Sequence, residues 1–243
     1  MESLKSVNNI IIYSTGLLGG SIGLALKNSG WKGRITGLSS EKNIGRALDL
    51  GCIDEGFGYE KLPEIIGSCD MLFLCSPIKV IIETLDRLSG LNLPEGMIIS
   101  DIGSTKKAIT EHAAEILPKK VSFIGGHPMA GSEKSGPGSA DPYMFQNAVY
   151  AITQCRNGEE KLANDFSEFL ESYLGCKSVI IDAETHDYIA AAISHVPQLL
   201  SVMLVNLAGR VEDDVPGTLQ LAAGGFRDMT RIASSPYSMW KDI

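Results

Sequence analysis

The chain has little of what marks a secreted, metal-bound or membrane protein. Its 243 residues include five cysteines, an odd number, and no two are spaced as Cys-x-x-Cys. The polar segment before the first apolar run does not resemble a signal peptide. No window approaches the roughly 20 apolar residues of a membrane span. These absences predict a cytoplasmic protein with reduced, mostly buried thiols and no metal site.

Positive charge is also scarce. Lysine and arginine number 21 against 29 aspartate and glutamate residues, so the net charge is −8. A negative field opposes nucleic acid and anionic lipid surfaces, and we expect neither as a partner. It also repels anionic small molecules at long range. An anionic substrate would therefore need positive groups close to its own binding site.

Short apolar runs alternate with amphipathic segments along the first two-thirds of the chain. The runs that predict strands are Asn9–Tyr13, Arg34–Leu38, Met71–Cys75, Met97–Ser100, Ser122–Gly125, Ala148–Thr153 and Ser178–Ile181. The segments that predict helices are Leu17–Ser29, Glu41–Leu50, Val80–Ser89, Thr105–Leu117 and Glu159–Leu174. This alternation predicts an α/β fold, a doubly wound, Rossmann-type and mostly parallel sheet covered on both faces.

From about Ala183 the character of the chain changes, and Tyr188–Leu207 is almost entirely apolar. A helix that is apolar all round must be buried on most sides, so we expect it to pack on the first domain or on a second subunit. Pro197 cannot donate its amide and strains the carbonyl group of Ile193. This predicts a kink that exposes backbone near residues 194–195.

We therefore predict two domains. Residues 1–182 would form the dinucleotide-binding domain, and residues 183–243 a smaller all-helical domain for substrate binding and dimerisation. A helical domain this short indicates either a truncated chain or a naturally small one.

The segment IIIYSTGLLGGSIGLALKNSG (10–30) predicts a strand, a tight turn and a helix. In the dinucleotide fingerprint GxGxxG, the first glycine serves the turn, the second admits the pyrophosphate, and the third lets helix and strand pack closely. Gly16 and Gly19 fill the second and third places, but Ser14 stands in the first. A glycine-rich turn without a ligand stays an alternative on this pattern alone.

The ends of the predicted strands Met71–Cys75 and Met97–Ser100 also support a nucleotide site. In open α/β sheets, ligands bind at the carboxyl ends of the strands. The acidic residue that would hold the adenosine ribose is missing after the second strand, and no arginine immediately replaces it. The cofactor is therefore NAD or NADP, with NAD slightly favoured. The predicted cofactor-binding residues are Ser14, Thr15, Gly16, Leu17, Leu18, Gly19, Ser39, Ser40, Cys75, Ser76, Pro77, Asp101 and Gly103.

The segment GGHPMAGSEKSG (125–136) contains the main catalytic candidate, His127. A histidine at a glycine-rich strand end, near a predicted nicotinamide site, favours a catalytic role over a structural one. His112 is interpreted as a side chain on a solvated helix face. His186 is interpreted as a structural residue at a helix start.

Five segments together resemble successive signatures of the prephenate/arogenate dehydrogenase family of tyrosine biosynthesis. They are LLGGSIGLALK (17–27), SDIGSTK (100–106), GGHPMAGSEKSG (125–136), SHVPQ (194–198) and GGFRDMTRIASSP…MW (224–240). The segments occur in the family's order and cover essentially the whole chain. The resemblance implies the predicted fold, an NAD(P)-dependent dehydrogenase and a homodimer formed through the helical domain.

The resemblance also implies roles for particular residues. His127 would accept the proton of the substrate's ring hydroxyl, and Ser104 would orient that hydroxyl and the histidine. Arg231 would pair with a substrate carboxylate, although Arg227 could share or take this role. The other positions that match the family's substrate pocket are His195, Ser132, Gly224, Asp228 and Trp240.

The expected reaction is oxidative decarboxylation of prephenate to 4-hydroxyphenylpyruvate and carbon dioxide. Arogenate, which would give tyrosine, is the alternative substrate. Two other classes stay open: a related reductase of small imines or hydroxy acids, and a dinucleotide-binding protein without catalytic activity. A substrate panel with both cofactors would separate them.

Overall fold

An eight-stranded sheet forms the centre of the first of two units into which the chain divides, and this unit ends at His186. The computed structural model describes residues 4, 6–132, 134–156, 158–235 and 240. The strands are β1 (Asn9–Tyr13), β2 (Arg34–Leu38), β3 (Glu55–Phe57), β4 (Met71–Leu74), β5 (Ile98–Asp101), β6 (Ser122–Pro128), β7 (Val149–Gln154) and β8 (Lys177–Ile180).

The strand order is β3-β2-β1-β4-β5-β6-β7-β8, and every neighbouring pair is parallel except β6 and β7. The order reverses between β1 and β4, and in open α/β sheets ligands bind at such a point, at the carboxyl ends of the strands. The predicted doubly wound, mostly parallel α/β fold is confirmed. The antiparallel step at β7 was not foreseen.

Helices cover both faces of this sheet. In chain order they are α1 (Leu17–Asn28), α2 (Glu41–Asp49), α3 (Leu62–Ile65), α4 (Ile78–Ser89), α5 (Lys107–Ile116) and α6 (Glu160–Leu174), and α7 (Ala183–Ala190) follows β8. Alternate residues of β1 point to opposite faces, so Ile10 and Ile12 join one apolar core while Ile11 and Tyr13 join the other. The first core includes side chains of α1 and α6, and the second includes side chains of α4 and α5.

The second unit begins at Asp187 and is helical. Beyond α7 come a π-helical turn (Ala191–His195), α8 (Val196–Asp214) and α9 (Gly224–Thr230). The π turn ends two residues before Pro197, which cannot donate a helical hydrogen bond. The irregularity that the proline predicts thus takes the form of a wider helical turn, a feature often found at functional positions.

The apolar stretch 188–207 is not buried in the single chain. Tyr188 is 79% exposed, Met203 is 65% exposed and Leu199 is 63% exposed. By length and composition alone, the helix Ala183–Asp214 could cross a membrane, since its most apolar window has a mean hydropathy of 1.6 and is 17% buried. The expectation that no segment approaches the length and hydropathy of a membrane span is therefore wrong.

Candidate active site

The turn between β1 and α1 has the geometry of a dinucleotide-binding loop. Ser14 has a φ of +78° and donates its N–H to Leu38 O at 2.7 Å. The first fingerprint glycine normally takes this left-handed conformation, and here a serine takes it. A Cβ atom on Gly19 would lie 2.2 Å from Ser14 O and 2.9 Å from Ile12 Cγ2, so only glycine fits where α1 crosses β1.

Gly16 differs from Gly19, because a Cβ atom placed on it would meet no atom of the described chain within 4 Å. This glycine thus faces open space at the N-terminus of α1, a 12-residue helix whose first turn carries no acidic residue. Helix N-termini attract phosphate because their backbone N–H groups and dipole favour negative charge. These residues fit the pyrophosphate of a dinucleotide.

The end of β2 corresponds to the adenosine side of such a ligand. Ser39 is 1% exposed, and its hydroxyl has no hydrogen-bond partner among the described residues. Ser40 is exposed and precedes α2, whose first turn contains Glu41. No carboxylate stands directly after β2, as the sequence indicated. A buried hydroxyl that lacks a protein partner is a group that a ribose or its phosphate could satisfy.

Other predicted cofactor residues line the ends of β1 and β4. Leu17 and Leu18 are partly buried in the first turn of α1, while Thr15 is fully buried and its hydroxyl has no partner among the described residues. After β4, Cys75 and Ser76 are buried and Pro77 is exposed. Burial raises the pKa of the Cys75 thiol, and the charge of Asp101 adds to this effect. Burial thus favours the protonated thiol, which is less nucleophilic than the thiolate.

Asp101 has a supporting position at the end of β5. Its carboxylate is fully buried and pairs with the equally buried Lys106, while Oδ2 also accepts the N–H of Gly103 at 2.7 Å. Oδ1 accepts the N–H of Gly126 at 3.1 Å, and Lys106 Nζ donates to Gly126 O at 2.7 Å. The carboxylate thus binds protein groups, and it connects the loop carrying Ser104 to the strand carrying His127.

His127 is the last residue but one of β6, and two glycines precede it. A Cβ atom on Gly126 would lie 2.6 Å from Asp101 O, and one on Gly125 would lie 2.2 Å from Thr153 Oγ1. The glycines therefore let β6 pack tightly against β5 and β7. The backbone that presents His127 is held on both sides.

The side chain of His127 contacts a second histidine. His127 Nδ1 lies 2.9 Å from His186 Nε2, and the two rings meet edge to face with centroids 5.1 Å apart. His186 is 5% exposed and belongs to the first turn of α7. The sequence alone indicates only a structural role for His186, because 59 residues separate it from His127 and its position depends on the antiparallel strand β7.

The serines predicted beside His127 lie in loops of the same unit. Ser104 is partly buried between β5 and α5. Ser132 follows β6, and its hydroxyl accepts the N–H of Lys134 at 3.2 Å. His112, by contrast, is on α5, where its Nε2 lies 2.8 Å from Asp86 Oδ1 at the surface. That contact agrees with the interpretation of His112 as a solvated side chain.

The second unit contains the remaining predicted substrate residues, and it is described by itself. His195 and Trp240 come together, with ring centroids 5.9 Å apart at an interplanar angle of 85°. Gly224 and Asp228 are exposed on α9, and Arg231 is exposed in the 3₁₀ segment Arg231–Ser234 that follows it. Gln198 and Ser201, which the sequence reasoning did not select, are almost fully buried polar residues of α8.

Metal and disulfide chemistry find no support in the described part of the chain. It contains no group of three or more potential metal-ligating side chains. All five cysteines are free, and all but Cys155 are buried. Burial also raises the pKa of the Cys69 and Cys155 thiols to about 12. The expectation that most of the thiols are buried is confirmed.

Comparison with known proteins covers both units. A family model described as prephenate dehydrogenase, nucleotide-binding domain, matches residues 22–181, and one described as prephenate dehydrogenase, dimerization domain, matches residues 182–243. The chain is 34% identical over 244 residues to the prephenate dehydrogenase of Bacillus subtilis and 38% identical over 238 residues to that of Lactococcus lactis. These alignments cover 100% and 98% of this chain and 64% of the length of each relative.

A solved structure is similar over nearly the whole chain. It is the prephenate dehydrogenase from A. aeolicus in complex with hydroxyphenyl propionate and NAD+, with a TM-score of 0.87 at 32% identity over 98% of this chain and 82% of that one. The glycine turn, the paired histidines and the helical second unit thus occur in a chain that is similar in sequence and fold to these proteins over nearly its own whole length. The chain belongs to the prephenate dehydrogenase family.

Proposed function

We propose that the protein is an NAD(P)-dependent prephenate dehydrogenase that converts prephenate to 4-hydroxyphenylpyruvate and carbon dioxide. The observation that carries this proposal is the His127 imidazole at the carboxyl end of β6, with its Nδ1 held by His186. The matched relatives support prephenate over arogenate, since both curated proteins and the solved structure are named prephenate dehydrogenases.

The chemistry requires little more than one well-placed base. When bound, the nicotinamide ring supplies the hydride acceptor. His127 takes the proton of the substrate's ring hydroxyl while the ring carbon that bears this hydroxyl loses its hydrogen as hydride, and Ser104 on the neighbouring loop orients that hydroxyl. The bond to the ring carboxylate then breaks, and its electron pair completes the aromatic ring while carbon dioxide leaves. Aromatisation supplies the driving force, so the protein's contribution is positioning and proton removal.

The substrate is a dianion, and the protein is acidic overall. The carboxylates of the substrate therefore need positively charged side chains close to them. We assign this role to Arg231, whose planar guanidinium can hold a carboxylate through two parallel hydrogen bonds. The neighbouring Arg227 is the alternative. The His195–Trp240 pair, together with Ser132, Gly224 and Asp228, would line the pocket.

For the cofactor we propose NAD over NADP, because the solved relative contains NAD+ and no arginine directly follows β2. Ser14–Gly19 would hold the pyrophosphate, Ser39 and Ser40 the adenosine ribose, and Cys75, Ser76, Pro77 and Gly103 would line the crevice. Asp101 would act through its backbone and its contacts with Gly103 and Gly126, because its carboxylate is buried.

We further propose that residues 183–243 form a helical dimerisation domain and that the enzyme is a cytoplasmic homodimer. The exposed apolar side chains of the helix Ala183–Asp214 would contact a second copy of the chain, in agreement with the dimerization-domain match. A membrane is the alternative partner for the same surface. No role for nucleic acid is proposed, in keeping with the net charge of −8.

The test is steady-state kinetics with prephenate and arogenate crossed against NAD and NADP. We expect reduced nicotinamide with prephenate and NAD as the best pair. His127→Asn should lower kcat by on the order of 10²–10⁴-fold while cofactor affinity is kept, because an amide preserves the contact toward His186 but cannot accept the proton. His112→Asn is the matched control and should stay near wild type.

Two outcomes would contradict the proposal. Turnover of small imines or hydroxy acids, with none of either cyclohexadienyl acid, would indicate the related reductase. Tight cofactor binding without turnover of any of these substrates would indicate a dinucleotide-binding protein.

A further inference from the structure

A neutral imidazole can act as a base through only one of its two nitrogens, so its tautomer decides which. If Nδ1 carries the proton, Nε2 can accept one, and if Nε2 carries it, Nδ1 is the acceptor. His127 Nδ1 lies 2.9 Å from His186 Nε2, and one nitrogen of this pair must donate while the other accepts. The catalytic nitrogen of His127 therefore depends on the tautomer of His186.

We propose that His186 is a positioning residue that holds His127 in the Nδ1–H tautomer. His186 Nε2 accepts the proton of His127 Nδ1, and His127 Nε2 becomes the nitrogen that takes the substrate proton. This inference rests on the proposed role of His127 as the base. His186 itself does not touch substrate or cofactor in this assignment.

The backbone that carries His186 is held in place at the start of α7. The backbone N–H of His186 donates to Asp182 O at 2.9 Å, and Asp182 Oδ1 caps the same helix end by accepting the backbone N–H of Thr185 at 2.8 Å. The adjacent Glu184 pairs with Lys107 of α5 at 3.3 Å, which links the start of α7 to the rest of the first unit. A side chain that is 5% exposed on such a turn has little freedom to rotate.

The backbone that carries His127, the other histidine of the pair, is also held in place. The carbonyl oxygen of Gly126, directly before His127, accepts a hydrogen bond from the buried Lys106, and its N–H donates to Asp101. Both rings are thus attached to rigid elements, β6 and the first turn of α7. The role of His186 corresponds to that of the residue that orients a catalytic histidine in a catalytic triad. Such a residue sets the tautomer of the histidine but does not take up or release a proton in the reaction.

The test compares His186→Gln with His186→Leu. Glutamine places an amide oxygen near the position of Nε2 and can still accept the Nδ1 proton, whereas leucine fills similar space and cannot. We expect His186→Leu to lower kcat on the order of 10–100-fold, as for other orienting partners, with KM for prephenate and the Kd for NAD within about twofold. His186→Gln should recover most of the loss, and His112→Gln is the matched control.

Nitrogen NMR of 15N-histidine-labelled protein without substrate provides a readout independent of turnover. At pH 8, His127 should show a protonated Nδ1 and an unprotonated Nε2 in the wild type and in His186→Gln, and a mixture of tautomers in His186→Leu. The same His127 tautomer in all three proteins, or equal kcat in His186→Leu and wild type, would overturn the proposal. If wild-type protein shows no turnover of prephenate, the proposed function fails while the spectra still decide the tautomer.

Discussion

At the scale of single residues, Ser14 adopts a backbone conformation that suits glycine best. Its φ of +78° belongs to the left-handed region, where a Cβ atom crowds the backbone. The N–H of Ser14 still makes the 2.7 Å hydrogen bond to Leu38 that ties β1 to β2. The turn between β1 and α1 therefore forms despite the backbone strain at Ser14.

Replacing Ser14 by glycine should relieve this strain. We expect Ser14→Gly to raise the free energy of unfolding by about 0.5–1 kcal/mol, since the strain lost exceeds the added flexibility of the unfolded chain. Urea unfolding measures the change. Asn147→Gly is the control, because Asn147 also has a positive φ, of 61°, but asparagine tolerates it better. A Ser14→Gly protein less stable than wild type would contradict the assignment of strain.

The two glycines of the α1 turn should respond differently to alanine. Gly19→Ala places a Cβ atom 2.2 Å from Ser14 O, and we expect it to destabilise the protein by about 1–3 kcal/mol through overpacking. Gly16→Ala meets no described protein atom within 4 Å, so it should leave the stability near wild type but weaken NAD binding. Thermal unfolding and calorimetric titration separate the two effects. Unchanged NAD affinity in Gly16→Ala would place the pyrophosphate elsewhere.

The functional role of a residue could be predicted only where the residues next to it in sequence indicate that role. His127 was identifiable because glycines and a proline surround it after an apolar run. His186 and Lys106 were not, because their roles depend on contacts with residues distant in sequence or across a strand boundary. A lysine is rarely fully buried without a partner, and Lys106 is buried because it pairs with Asp101.

At the scale of elements, the Asp101–Lys106 pair connects β5 and α5 to β6. Both side chains are fully buried, and together they bind Gly103 and Gly126 on either side. Removing one partner of such a pair leaves a buried charge without compensation, whereas removing both charges is far less disruptive. We therefore expect the stability of the first unit to depend strongly on keeping both side chains of the pair.

This sensitivity can be measured with a double-mutant cycle. We expect Lys106→Met to lower the free energy of unfolding by about 3–5 kcal/mol, and the double variant Lys106→Met with Asp101→Asn to recover a large part of it. Lys61→Met, which breaks the exposed pair with Glu64, is the control and should cost less than about 1 kcal/mol. Additive losses from Lys106→Met and Asp101→Asn would show that the two side chains act independently.

The elements themselves were largely predictable. Seven of the strands and the longer helices of the first unit follow from apolar runs and amphipathic spacing. β3 was missed because it is a three-residue edge strand, Glu55–Phe57, without a buried apolar run. The reversed direction of β7 was missed because periodicity identifies a strand but not its orientation.

At the scale of the whole molecule, the helix Ala183–Asp214 leaves a large apolar surface uncovered. Monomeric proteins rarely expose contiguous patches of this kind, so a partner is expected. The apolar stretch is evident from the sequence, but burial within one chain and burial between two chains cannot be distinguished there, because composition does not specify the partner.

A substitution in this surface should separate the proposed dimer into monomers. We expect the double variant Leu199→Glu with Met203→Glu to be monomeric by light scattering after gel filtration, since two charges would be buried without partners. Leu48→Glu, at an exposed leucine of α2, should leave the dimer intact. A wild-type protein that is monomeric alone and floats with lipid vesicles would instead identify a membrane as the partner.

All five thiols lie in the first unit and the second has none, so the two halves carry separate natural probes. Thiol reagents will modify the four buried cysteines of the first unit only when that unit opens, because burial screens their sulfurs from solvent; Cys155, which is partly exposed, is not such a probe. The indoles divide in the same way, with Trp31 before the boundary and Trp240 beyond it. Modification rates and fluorescence can therefore follow the unfolding of each half in the unaltered protein.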